Sequence, residues 1–407
     1  MFLETMPDDV TWFSSSQQGA QQMMGGSNGD MLKVLDACLI DGYNELPALS
    51  ITKDDDTTTI TFNSTHGYLN NQKIVITGAD DPLLNGEHRV KNQTTTTITL
   101  YTPAVTSVAG TIIVKIAALG WESIFGSTDP LKRAYRSRSV SSGKRVLFLD
   151  MSYPNAGEYH ATAPARRAMV SVCQDMQIMG EKIGDMTSTI NNVETHANGT
   201  LFWQQKRASA KTALVPNTPS SWLIIGNKDF FYFLVGWGVG VQDSTVHRDV
   251  FAFGEYVGLD PSIQEDKTFL SAYASNNDAT SANIGSRGGW VSSFDEAKMG
   301  VYISTTGQME FKPLSVVCVT ANTILTSGGG SIAFPSPIGS NLFTMPMRIA
   351  HSTSNTIHGF MPSMLFIENS IAISSYDSNF VDGVLLAHVQ KQPATSLTTA
   401  YYGFHLG

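Results

Sequence analysis

Apolar and polar residues alternate in short bursts along most of this chain. Between Leu49 and Lys115 the bursts are Ile60-Thr61-Phe62, Lys73-Ile74-Val75-Ile76, His88-Arg89-Val90, Thr97-Ile98-Thr99-Leu100 and Thr111-Ile112-Ile113-Val114. A period of two places alternate side chains on opposite faces of a strand, so each burst predicts a half-buried strand. Turn formers separate them: Asp54-Asp55-Asp56, His66-Gly67, Asn85-Gly86 and Ala109-Gly110. Five short strands in this span predict a small barrel or sandwich module over 49–116, with glycines where tight turns need positive φ.

From Leu119-Gly120-Trp121-Glu122 onward the bursts lengthen, and residues 117–407 read as a larger mainly-β domain. Strands are predicted at Arg145–Leu149, Ala168–Val172, Ser221–Ile225, Phe230–Val235, Asp249–Phe253, Gly300–Ile303, Leu314–Val319, Ile371–Ile373 and Gly383–Ala387. The runs flanking Gly226-Asn227-Lys228-Asp229 predict a hairpin, because two apolar stretches meet across a turn built of turn formers. Helical spacing is rare. Asp30 is a candidate N-cap for a helix carrying Leu32, Leu35, Leu39 and Ile40 on one face and stopped by Asp41-Gly42. Cys173–Ile183, with Met176, Met179 and Ile183, predicts a second helix. Ser14–Gly29 is rich in Gln, Gly, Ser and Met, so residues 1–48 read as an extended N-terminal arm followed by the short helix. Polar, glycine-rich Ser275–Gly289 and Ser327–Ser331 read as surface loops that could also serve as contact loops.

Composition supports the β reading. The chain has 407 residues, long enough for two to four domains, and only 15% of them are charged. Thr57–Thr59, Thr94–Thr97 and 35 glycines favour strands joined by tight turns. The fold class expected is mainly β: an arm with a short helix, a small five-stranded module and a larger antiparallel sandwich-like domain. A formal net charge of −9 argues against a dedicated nucleic-acid surface, which needs clustered cations. One basic stretch exists, Lys132-Arg133-Ala134-Tyr135-Arg136-Ser137-Arg138 followed by Lys144-Arg145, and reads as a solvated or subunit-facing segment, with contact to DNA or to an acidic neighbouring subunit as the alternative. Cys38, Cys173 and Cys318 are too far apart for a zinc spacing and odd in number, so buried free thiols are expected. Met1-Phe2-Leu3-Glu4, with Asp8 and Asp9 behind it, lacks the pattern of a secretory signal, and no apolar run reaches bilayer length.

Candidate chemistry changes the picture little. Gly328-Gly329-Gly330-Ser331 lacks the Lys-Ser/Thr of a phosphate loop, and Gly236-Trp237-Gly238-Val239-Gly240 lacks the spacing and following helix of a dinucleotide site. His247-Arg248-Asp249 and the pair His351 and His358 supply no set of three convergent metal ligands. Asp54-Asp55-Asp56 lacks the alternating oxygens of a calcium loop. Trp222, Phe230, Phe231, Tyr232, Phe233 and Trp237 could stack on sugars, but adjacent strand residues point to opposite faces, which favours a strand buried on both sides. No catalytic residue, metal or cofactor is therefore expected.

Three stretches resemble a family of tailed-bacteriophage virion structural proteins. Asp9-Val10-Thr11-Trp12-Phe13 through Gln22, with the helix Leu32 to Tyr43, is similar to the family's opening. Thr65-His66-Gly67-Tyr68, Val75-Ile76-Thr77-Gly78-Ala79, Leu84-Asn85-Gly86-Glu87 and Val90 resemble a small β-module that recurs in phage head, tail and fibre proteins. Leu119–Glu122, Ala134–Ser137, Trp203, Trp222–Trp237 and Phe253-Gly254-Glu255 look like the larger domain, whereas the polar stretch Thr187–Gly199 departs from the pattern. The resemblance implies a virion component of the neck, tail, baseplate or capsid. The expectation taken from it is a building block assembled in the host cytoplasm and repeated around the neck, sheath or baseplate of the tail. Its partners would be copies of itself and other tail, neck or capsid proteins of the virion; no membrane is expected, and the acidic balance disfavours nucleic acid. Cyclic arrays need two different complementary patches per copy. Trp12 and Phe13 of the arm, and Arg133, Arg136, Arg138, Lys144 and Arg145 of the basic stretch, are the expected contacts. The alternative is a receptor- or carbohydrate-binding module at the tail tip, against which stands the lack of heptads or repeats for a fibre shaft.

Overall fold

The computed structural model describes residues 9–24, 29–54, 57–101, 111–126, 128–140, 142–152, 167–185, 201–205, 219–238, 246–258, 267–274, 298–304, 309–315, 344–350, 357–367, 380–381, 384–390 and 399–406. The loops predicted at 275–289 and 327–331, the strand at 371–373, Cys318, His351 and the stretch 187–199 lie outside these residues. The chain is mainly β, and among the described residues there is one short helix and the strand pairings are antiparallel apart from one.

The first strand, β1 (Thr11–Ser14), is not part of an extended arm. It pairs antiparallel with β16 (Pro219–Gly226), setting Trp12 opposite Ile225 and Phe13 opposite Ile224. β2 (Met23–Met24) pairs with the start of the same strand. The expectation of an extended arm is corrected for residues 11–24, and the physical reason lies in the side chains. Trp12 and Phe13 point to opposite faces of β1 and both are fully buried, so each face of this strand seals apolar surface of its own chain. The Trp222 indole N–H donates to the Gln21 carbonyl at 3.0 Å, holding the link between the two strands.

Helix α1 (Asp30–Asp36) runs on into a π-helical turn, Ala37–Asp41. Asp30 is its first residue and not its cap, because Gly29 precedes it at φ 87° with no side-chain capping bond. The Asp30 carboxylate instead accepts the Met24 N–H at 3.1 Å and the Lys33 ammonium at 2.9 Å, tying β2 to the helix. Leu32, Leu35 and Leu39 are buried as their spacing requires, and Met31 and Val34 are buried with them. Gly42 ends the helix at φ 71°, where a Cβ would lie 2.2 Å from the Ile116 carbonyl oxygen.

The small sheet has seven strands: β3 (Tyr43–Pro47), β4 (Ser50–Asp54), β5 (Thr57–Thr61), β6 (Lys73–Thr77), β7 (Gly86–Gln93), β8 (Thr97–Tyr101) and β9 (Ile113–Ile116), in the order β3-β9-β6-β7-β8-β5-β4. β5 to β9 are the five expected from periodicity. Their inward residues Ile60, Ile74, Ile76, Val90, Ile98, Leu100, Val114 and Ile116 are all buried. β3 and β4 occupy the two ends of the sheet, where half-exposed polar residues blur the alternation. The motif residues of this module hold its turns. Tyr68 N–H donates to His66 Nδ1 at 2.9 Å, and the Tyr68 hydroxyl reaches the carbonyls of Asn44 (2.8 Å) and Val114 (2.7 Å). The Asn85 amide brackets Ala79, accepting its N–H at 3.0 Å and donating to its carbonyl at 2.7 Å.

A second seven-stranded sheet contains β10 (Trp121–Ser123), β11 (Lys132–Ser137), β12 (Val146–Asp150), β13 (Arg167–Met176), β14 (Lys182–Asp185), β15 (Leu201–Gln204) and β21 (Tyr273–Ala274). The helix expected over Cys173–Ile183 is absent. Cys173 continues β13 opposite Val146, and Asp175 pairs with Ile183 across a hairpin. The misleading apolar spacing arose from the turn itself, where Ile178 is 65% and Ile183 is 40% exposed while Met176 alone of the three is buried.

The largest sheet has fourteen strands. Its centre is the predicted hairpin, β16 and β17 (Phe230–Gly238), followed by β18 (Val246–Glu255). The Asn227 side-chain oxygen caps the turn by accepting the N–H groups of Asp229 (2.8 Å) and Phe230 (3.2 Å). β27 (Val384–Gln390), β28 (Thr399–His405) and β25 (Ile357–Ile367) extend the sheet, with β27 parallel to β18 and the others antiparallel. Strand β17 is buried on both sides. Phe231 and Phe233 face the second sheet, where Trp121 meets Phe231 edge-on at 5.3 Å and Trp203 stacks on Phe251 of β18 at 5.5 Å. Tyr232 packs on the opposite side against Phe404 at 5.2 Å and donates to the Pro362 carbonyl at 2.7 Å.

Truncating either tether of β1 should therefore destabilise the whole chain. Trp12→Ala or Phe13→Ala is expected to cost about 3–5 kcal/mol, the range for emptying a buried aromatic site. Urea unfolding followed by tryptophan fluorescence checks this, and a loss below about 1 kcal/mol, the size of a surface substitution, would contradict it.

Candidate functional site

A cleft of about 330 Å³ opens where four segments distant in sequence meet. The N-terminal segment contributes Asp9 and Thr11, the small sheet Lys73 and Glu87, the β9–β11 region Gly120 and Arg138, and the β16–β17 turn Asn227 and Lys228. The fold fixes each wall. Arg89 sits behind the small-sheet side, and its guanidinium donates to the carbonyls of Asn71 (2.8 Å), Val10 (3.2 Å) and Leu406 (3.3 Å). One side chain thus joins the module, the N-terminal strand and the C-terminal segment. The Trp121 indole donates to the Asn227 carbonyl at 2.9 Å, and the Ser137 hydroxyl donates to that of Lys228, so the turn is held against β10 and β11. Asp9 accepts from the Asn227 amide at 2.6 Å.

Charges crowd this cleft. Burial pushes the Lys73 ammonium below its ordinary pKa, and Asp9 and Glu87 draw it back up while Arg89 and Lys228 oppose them. Burial likewise lowers Arg89, with Asp9 acting in the other direction. A carboxylate, a half-buried lysine and a guanidinium at this proximity make a polar site that can hold a charged group.

The basic stretch divides between interior and surface. Arg133 is 4% exposed, and its Nε donates to Asp36 at 2.9 Å while Nη1 reaches the carbonyls of Asp129 and Lys132. Tyr135 donates to the same carboxylate at 2.8 Å. Burial raises the Asp36 pKa and outweighs the lowering by Tyr135 and Arg133. Arg136 pairs with Glu122 at 2.9 Å and lies 3.7 Å from Asp175, both across its own sheet. Lys132 lies 3.5 Å from Asp150. Lys144 takes φ 57° and donates to the Ser137 carbonyl at 3.0 Å, and Arg145 is half-buried just ahead of β12. Arg138 alone of the stretch lines the cleft.

Of the residues expected to meet a neighbouring subunit, Trp12, Phe13 and Arg133 are enclosed by their own chain. The cause is pairing that sequence spacing cannot display: Trp12 and Phe13 meet a strand more than 200 positions away, and Arg133 meets Asp36 across about 100. Arg136, Arg138, Lys144 and Arg145 keep exposed or half-exposed positions. Trp222 and Phe230 to Phe233 are buried, so these residues form no open aromatic groove. Cys38 and Cys173 are buried free thiols. Among the described residues, no three His, Cys, Asp or Glu side chains gather as a metal site. The cleft residues carried no local signal, since Asp9, Lys73, Gly120 and Lys228 become neighbours only through tertiary packing.

His66 illustrates how the module's motif residues serve the fold. It is buried, accepts the Tyr68 N–H on Nδ1 and lies with Nε2 at 3.2 Å from the Thr97 carbonyl. This arrangement requires the neutral ring protonated on Nε2. Burial, the largest influence, holds its pKa below the ordinary 6.5.

Two outcomes follow from these environments. Because the folded pKa of His66 is depressed, its contribution to stability is present above pH 6.5 and is lost as pH falls from there through the folded value. NMR titration should find His66 still neutral at pH 6.5, and a midpoint at or above 6.5 would contradict the buried-neutral assignment. Arg133→Ala should cost about 3–5 kcal/mol by stranding Asp36, whereas Arg136→Ala at a partly exposed pair should cost under about 1 kcal/mol. Equal losses in urea denaturation would contradict this ranking. No protein-family model matches the chain, and no curated protein matches it.

Proposed function

We propose that this chain is a structural building block of a tailed-phage virion, repeated in the neck, sheath or baseplate of the tail and acting through contacts between copies and with other virion proteins. The observation that carries the reading is where the chemically able side chains are employed. Arg89, Arg133, Asp36, Gln205, Trp121, Trp203 and Trp222 each bond across segments far apart in sequence. Gln205, fully buried, accepts the Met31 N–H at 3.2 Å and donates to the Met24 carbonyl at 2.7 Å, joining β15 to the helix and β2. Polar groups used in this way stiffen a body against relative movement of its sheets, which is what a load-transmitting subunit needs.

The similarity of the Trp12-Phe13, Thr65–Tyr68 and Leu119–Glu122 stretches to virion proteins supports the same reading. A receptor-binding role through the aromatic run is disfavoured, because Trp222 and Phe230 to Phe233 are enclosed. The exposed or half-exposed part of the basic stretch, Arg136, Arg138, Lys144 and Arg145, is the surface assigned to neighbouring copies.

Electron microscopy of particles carrying the protein, combined with sedimentation of the purified chain over a concentration series, tests this reading. Copies repeated around the tail axis are expected. A chain that stays monomeric and is missing from particles would overturn it, and three copies at a distal tip engaging a sugar would replace it with the receptor-binding alternative.

A further inference from the structure

We propose that the cleft between the N-terminal strand, the small sheet and the β16–β17 turn is an anion site, taking a phosphate or carboxylate group between Lys73, Arg138 and Lys228. The proposal does not rest on the virion reading, although Arg138 also belongs to the surface assigned there to neighbouring copies; it rests on charge, shape and support.

Charge comes first. The chain as a whole carries −9, yet the cleft is lined by three cations, Lys73, Arg138 and Lys228, against two carboxylates, Asp9 and Glu87. Arg89 lies behind the wall, close enough to Lys73 to act on it electrostatically. Asp9 is held by the Asn227 amide, and Glu87 sits exposed at the rim. The lining thus carries one more cation than carboxylates in a chain whose formal net charge is −9, and an arriving anion would be drawn to this place.

Shape and support follow. Gly120 lines the cleft at φ 87°, and a Cβ there would meet only the Lys228 Cβ, at 3.6 Å, so the bare backbone keeps that wall low beside Lys228. Lys228 and Arg138 project from elements clamped together by the Trp121–Asn227 and Ser137–Lys228 bonds and by the Arg138 N–H to the Gly120 carbonyl at 3.3 Å. Lys73 rises from β6, whose backbone N–H is tied to the Thr11 hydroxyl at 3.3 Å. The backbones bearing the cations are therefore fixed before any ligand arrives, which reduces the ordering cost of binding. Half-burial of Lys73 strengthens its attraction to an anion relative to a solvated surface lysine.

Isothermal titration of the full chain at constant ionic strength, with inorganic phosphate in one arm and an acetylated Glu-Glu-Glu peptide in the other, tests the site. Saturable binding of at least one probe is expected, weakened about tenfold by Lys228→Ala or Arg138→Ala, the effect of removing one charge-assisted bond. Both side chains are exposed, so unchanged melting will show that the variants fold. Lys33→Ala, on the helix and away from the cleft, should leave binding intact. Phosphate binding alone identifies an inorganic or phosphoryl ligand, and peptide binding identifies a protein carboxylate. Absence of saturable binding in both arms, or equal affinity in the wild type and both cleft variants, would overturn the proposal.

Discussion

Strand β17 carries aromatic residues on both of its faces, and covering both at once is the requirement around which the rest of the chain is arranged. Phe231 and Phe233 need a layer on one side, which the second sheet supplies through Trp121 and Trp203. Phe230 and Tyr232 need another, supplied in part by Phe269 and Phe404. Each buried aromatic contributes about 1.5–3 kcal/mol of transfer free energy, and edge-on or offset contacts add to it. The two tryptophans also bring a polar N–H, and each finds a carbonyl: Asn227 for Trp121, Ser271 for Trp203. Those bonds orient the second sheet on the first, so apolar burial supplies the attraction and two hydrogen bonds fix its direction.

The N-terminal strand closes the same system from the side. β16 would be an edge strand without β1, and an open edge beside so much aromatic surface invites pairing with foreign chains. Trp12 and Phe13 cover it, Gln205 and Asp30 anchor the following turn, and Arg89 ties the strand's leading end to the small module. The module is thereby joined to the sandwich through bonds to backbone carbonyls, and the cleft is the gap left where these joints converge.

Much of this was legible in the sequence wherever the signal was local. The alternation in β5 to β9, the Asn227 turn and the two-sided burial of β17 follow from spacing alone, because a strand's faces are set by residues two apart. The helix at Leu32, Leu35 and Leu39 was legible for the same reason, although Gly29, not Asp30, stands at its cap. What spacing concealed was pairing across the chain. Trp12-Phe13 reads as an exposed arm until β16 is placed beside it, and Arg133 reads as a surface cation until Asp36 arrives from the helix. Cys173–Ile183 misled because a strand entering a β-turn placed Met176, Met179 and Ile183 at spacings that mimic a helical face. The cleft had no sequence signature, since each wall contributes one or two ordinary polar residues.

Hydrogen exchange of the intact chain across a denaturant series tests the central claim, that β1, β16 and β17 form one cooperative unit clamped to the second sheet. The account predicts that the hydrogen-bonded amides in Thr11–Ser14, Pro219–Gly226 and Phe230–Gly238 converge on the same opening free energy, that of global unfolding. Rapid exchange of Thr11–Ser14 with β16 and β17 still protected would mean that the N-terminal strand is an arm after all and would contradict the account.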